Sequence, residues 1–165
     1  LSVEATVAGN AYLESDSDRA LRYLRESVDA GHSAGLSFGL VLALQLMASI
    51  LLDRDEHEEA KTLLTESLAL SRQYGGMHPY YSGNLVCRCV SQAGEPELAA
   101  TLMANVEAFF ADVIGEVERK EWADPTREAL ISVLGRERLS ELTETTHPTT
   151  FVELIDDLTT ALHDI

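Results

Sequence analysis

Lysine occurs only twice, at Lys61 and Lys120, and the ten arginines bring the basic residues to 12 against 28 acids. The resulting net charge of −16 and a pI near 4.5 leave no basic footprint for a phosphate backbone. Direct nucleic-acid binding is therefore not expected, and an anionic membrane surface would repel the chain. Cysteine is as scarce: Cys87 and Cys89 make no disulfide framework, and their spacing sends them to different faces of a helix. A reduced, cytoplasmic setting is the expectation. Four prolines and 6 % aromatic residues set aside proline-rich and aromatic-rich low-complexity classes. No basic, apolar leader precedes the first acids, so no signal peptide is expected, and the chain reads as a piece of a longer protein.

Against those shortages stands 45 % hydrophobic content in 165 residues, enough for one globular domain. From 30 to 52 no Asp, Glu, Lys or Arg occurs. Leu36 to Leu52 approaches the length of a spanning helix, but it carries Ser37, Gln45 and Ser49, starts among Gly35 and Gly39, and has no basic flank. It is expected to be a helix buried on most sides.

The chain repeats itself. Arg19–Val28 aligns with Glu59–Leu68, and this puts Ala20 in register with Ala60 and Leu24 with Leu64. A third copy at Leu98–Met103 follows at nearly the same interval, placing Ala99 and Met103 in register. Upstream, Ala8, Ala48 and Cys87 form a small-residue set beside Val7, Met47 and Val86, with Ala11, Leu51 and Val90 three positions on. Small residues allow close helix crossings, and larger apolar neighbours fill the gaps beside them. Polar turns (Glu14–Asp18, Asp53–Glu56 and Ala93–Pro96) separate the paired helices, with Pro96 suited to a first helical turn. Towards the end, Asp124–Pro125 starts a helix that Gly135 stops. Thr150 and Glu153 form a capping box ahead of an apolar stripe of Leu154, Ile155, Leu158, Ala161 and Leu162. Trp122 is expected to anchor the preceding loop in the core.

These small-residue positions, the Ala followed four later by Leu or Met, and the polar turns resemble tetratricopeptide repeats. The copies are longer than that family's usual unit and lack its closing proline. They keep the turn glycine only at Gly94, with Ser15 and Asp55 in its place. Such copies are similar to the helical repeats of bacterial signal-transduction ATPases of the MalT and LuxR-like kind and adenylate-cyclase-linked regulators. Glu97–Phe109, Ala129–Leu139 and Thr150–Ile155 look like that family's last repeat helix, closing hairpin and final short helix. The resemblance implies an all-α fold of tetratricopeptide-like hairpins stacked as a right-handed superhelix with a C-terminal helical cap, about nine helices in all. Residues 1–115 would hold three hairpins and 116–165 the cap, within one domain. No Walker-type loop, cyclase signature or helix-turn-helix reader is present, so those activities do not carry over.

Chemistry is thin by comparison. Asp53–Glu59 opens like a calcium loop, yet Glu58 and Leu64 stand where the loop needs Gly and Glu. His32, His57, His78, His147 and His163 never pair at i,i+3 or i,i+4, so neither a zinc site nor any other metal is expected. No nucleophile elbow orients a serine. The expectation is a non-enzyme without cofactor that binds a protein or peptide partner, or a small effector, inside a larger bacterial regulator. The first helix of each hairpin would line a concave face, offering Tyr12 and Leu13, then Gln45, Ser49 and Leu52, then Tyr81, Asn84, Arg88 and Gln92. Asn84 and Arg88, one turn apart, would together hold a carboxylate or a peptide backbone. The alternative is a homo-oligomerisation scaffold, including a homodimer, that uses the uncharged 30–52 hairpin as its interface.

Overall fold

The computed structural model describes residues 16–35, 37–74, 78–144 and 149–165, and these are helical throughout, with no strand among them. The chain divides into two compact units, Leu1–His78 and Pro79–Ile165. That boundary falls between the second and third copies of the repeat, so the terminal cap helices share a unit with the third copy. The segment expected as the upstream helix of the first copy, with Ala8, Ala11, Tyr12 and Leu13, lies outside the described residues.

In the first unit, α1 (Ser17–Ala34) starts where the Asp16 side chain accepts the Arg19 N–H at 3.0 Å. It ends at Gly35, whose φ of 64° is a left-handed cap. The second helix, α2 (Ser37–Asp53), packs on both α1 and α3 (His57–Tyr74). Arg25 pairs with Glu59 at 3.2 Å and His32 with Glu66 at 2.5 Å. Both pairs join α1 to α3 at one and the same sequence offset, which means that the two helices run parallel, side by side. Arg54 adds a 2.7 Å bridge to Asp18. Gly31 allows α1 close to α2, because a Cβ there would lie 2.9 Å from Leu40 Cβ.

The apolar run is the buried helix that its sequence implies. Leu40, Val41, Ala43, Leu44, Leu46, Met47, Ala48 and Ile50–Leu52 are all in the core. Between Leu40 and Leu52 the uncharged run is thus largely covered within the folded chain. No described helix is long and apolar enough to cross a membrane.

The second unit takes up most of α4 (His78–Gln92), then α5 (Pro96–Phe109), which opens on Pro96. One helical turn at Glu116–Glu118 and a π turn at Arg119–Ala123 run directly into α6 (Asp124–Leu134). Trp122 therefore sits in a helical turn rather than a loop. α7 (Arg136–Thr143) and α8 (Phe151–Asp164) complete the unit, and α6, α7 and α8 all pack on α5. The capping box is present, with Thr150 N–H to Glu153 at 2.8 Å and Glu153 N–H to Thr150 Oγ1 at 3.3 Å. The five stripe residues that follow are all buried.

The repeat is physical as well as textual. Ala20, Ala60 and Ala99 are each 0 % exposed, as are Leu24, Leu64 and Met103, and Ala48 and Cys87. Turn geometry recurs as well. Glu56 N–H reaches Leu51 O at 2.9 Å, and in the next copy Glu95 N–H reaches Val90 O at 3.1 Å. Asp55 (φ 60°) and Gly94 (φ 100°) hold the same positive-φ position in the two turns. Asp tolerates the left-handed region better than most residues, which accounts for its replacing glycine.

Candidate functional site

The expected concave-face residues have unequal fates. Gln45 is 0 % exposed on α2, and its Nε2 donates to the His78 carbonyl at 2.9 Å. Asn84 is likewise 0 % exposed, donating from Nδ2 to the Tyr80 carbonyl at 2.9 Å, while its own backbone carbonyl accepts from Thr126 Oγ1 at 3.4 Å. Neither amide is on a surface. The Asn84–Arg88 clamp is corrected accordingly: Asn84 faces inward to the backbone of its own helix, whereas Arg88 is half-exposed. Ser49 and Tyr81 are half-buried and Gln92 is exposed at the end of α4. Tyr81 stacks on Trp122 with ring centroids 4.9 Å apart. Leu52 belongs to the core.

A different group of residues converges within the second unit. α5 supplies Ala104, Glu107 and Ala108, and the turn after it Ala111 and Ile114. Arg119 comes from the π turn, Arg127 from α6, Thr143 from α7 and Tyr80 from the first turn of α4. They line a cavity of about 330 Å³. That is near the lower end of the roughly 300–1,000 Å³ typical of small-molecule sites.

Its electrostatics are specific. Arg127 Nη2 donates to both carboxylate oxygens of Glu107. Among the described residues no bond to the Nε or Nη1 donors of Arg127 accompanies these. Arg119 reaches back to the Ile114 carbonyl at 3.3 Å with one Nη2 proton. Two guanidiniums and one carboxylate give this lining a positive balance inside a chain of net charge −16.

Tyr80 forms the floor. It is 1 % exposed, with its ring edge-on to Phe110 at 5.7 Å and to Tyr81 at 5.9 Å. Among the described residues its hydroxyl meets no partner in hydrogen-bond geometry, and neither does the nearby Asn84 Oδ1. Burial first, and Glu107 second, push the phenol up to about 12. Arg119 pulls the other way, as does the Asn84 amide, which lies close by but outside hydrogen-bond geometry. An unpartnered buried hydroxyl costs about 1–3 kcal/mol, so such an atom in a native interior needs a reason.

Sequence patterns gave little access to this cavity. Tyr80 stands beside Tyr81, and the repeat register favours the latter for an open face. Arg119 falls in a segment without apolar periodicity. The available signal was Glu107, an acid isolated within the last two apolar turns of α5.

Other chemistry is quiet. Among the described residues no group of three His, Cys, Asp or Glu is placed to hold a metal. Cys87 and Cys89 are buried and form no disulfide, and burial pushes the Cys87 thiol far up, away from thiolate chemistry. Burial also lowers the pKa of His78. In comparisons with protein-family models, curated proteins and solved structures, the chain has no match.

Proposed function

We propose that this chain is a non-enzymatic recognition module of tetratricopeptide-like hairpins, which contacts a protein partner or senses a small effector within a larger bacterial regulator. One observation carries the reading: the same buried small residues and the same left-handed turn position recur from copy to copy, in both compact units. Repeated helical hairpins are the architecture of extended binding surfaces. Partner or effector binding would then bias the packing of the hairpins, and the bias would reach an output domain as a population shift.

The test is carboxylate-directed cross-linking of the full-length regulator in its native cells, because the chain offers 28 acids but only two lysines. The expected result is a reproducible set of links from the acids of α1 and α3 to one partner or to one further domain. Links confined to the chain itself would overturn the reading.

A further inference from the structure

We infer that the cavity bounded by Tyr80, Glu107, Arg119 and Arg127 is a binding site for a small monocarboxylate with an apolar body. The inference rests on the effector-sensing form of the recognition module and names the chemical class of the effector.

Three features select that class. The first is charge. Two guanidiniums against one carboxylate leave a single positive charge to balance, so a monoanion fits. A phosphate dianion would bring a second charge against Glu107, which already occupies Arg127. The second is donor geometry. The planar fork of a guanidinium matches a carboxylate, and among the described residues the Arg119 fork bonds only the Ile114 carbonyl. The third is the lining: Ala104 and Ile114 offer an apolar wall beside these cations. A ligand that is charged at one end and apolar elsewhere meets both surfaces at once.

Tyr80 supplies the second, independent observation. Tyr80 lines the cavity, and among the described residues its buried hydroxyl meets no hydrogen-bond partner. Left unpaired it destabilises the free protein, and donating to a bound carboxylate oxygen would satisfy it. Arg119 itself comes from a π turn, a local widening that recurs at functional positions in helices.

The probes are benzoate and its neutral amide, benzamide, titrated calorimetrically into the full chain, with inorganic phosphate as the competing anion. The expected result is saturable, one-to-one benzoate binding, with benzamide at least about tenfold weaker and phosphate weaker still. Arg119→Gln should weaken benzoate about tenfold or more, and Tyr80→Phe about five- to tenfold. Thermal unfolding without ligand separates a binding role from a structural one. Tyr80→Phe should leave the free protein as stable or more stable, since it removes an unsatisfied hydroxyl. A Tyr80→Phe variant that loses stability would overturn the inference. Benzoate and benzamide binding equally, phosphate binding more tightly, or no saturable benzoate binding would each overturn it as well. Failure here with the cross-links to a partner intact removes the ligand class and leaves the recognition module standing. Loss of those links overturns the module itself.

Discussion

At Asp55 and Gly94 a single backbone position, repeated once, is filled by two residues of different cost. Both have positive φ and both close the same turn bond to the helix behind. Glycine enters that region freely, whereas an Asp does so against its Cβ. Asp55→Gly should therefore stabilise the first unit by up to about 1 kcal/mol, and Gly94→Ala should destabilise the second by about 1 kcal/mol. Urea unfolding of the two variants checks the pair, and equal effects of one sign would contradict it. Gly83 makes the opposite kind of demand, for space. A Cβ there would meet Val106 Cγ2 at 2.8 Å and Leu158 Cδ1 at 3.4 Å, so Gly83→Ala should cost about 1–3 kcal/mol. Val106→Ala in the same chain should recover part of that loss, measured as a coupling in a double-mutant cycle. Independent, additive losses would mean that the crossing of α4 and α5 is looser than the distances say.

Helices differ in how far their sequences announce them. α8 is fully announced, because cap, box and stripe lie within one short stretch and all act locally. The two carbonyl–amide turns of the repeat are announced for the same reason. The buried character of α2 is legible from its lack of charge, although an apolar helix carries no stripe to say which neighbours cover it. The candidate site is the harder case. Its groups come from four helices, the π turn and the turn after α5, and a cavity is a property of three-dimensional packing that no spacing within one helix encodes. Asn84 and Gln45 fail as surface residues for a related reason. Repeat register fixes which helix side they occupy, but an amide that finds a backbone carbonyl is as stable inside as in water. For α8 the local reading yields its own test. Thr150→Ala should cost about 1 kcal/mol through the lost cap. Bonds from Thr150 hold the Glu153 carboxyl below its ordinary 4.5. The unfolded chain then binds that proton more readily than the folded one. The cap's contribution is complete above 4.5 and is lost as pH falls through the lower, folded value. The difference in Tm between wild type and Glu153→Ala should therefore shrink in acid, and a difference independent of pH would contradict the carboxylate's part in the box.

Over the whole chain, −16 outweighs any set of local pairs. The bridges from Arg25 to Glu59, from Arg138 to Glu97 and Glu141, and from Lys120 to Glu116 involve exposed partners. Exposed pairs of this kind contribute about 0–1 kcal/mol each and weaken in salt. With 28 acids and 12 bases, acids outnumber the bases that could pair with them, and compaction raises their mutual repulsion. Salt screens both effects, but the attractive contacts are few and short-ranged while the repulsion is general. Raising sodium chloride from about 10 mM to about 300 mM, where the Debye length falls from about 30 Å to well under about 10 Å, should therefore raise Tm by several degrees. Chloride is the right anion for this scan because sulfate would stabilise by exclusion from apolar surface as well. The cavity adds a distinction within the same experiment. Its positive lining is a local inversion of the global sign, so salt that stabilises the fold should weaken benzoate binding. A Tm that falls with chloride would mean that the ion pairs govern stability after all. A benzoate affinity that rises with chloride would place the ligand outside the guanidinium pair.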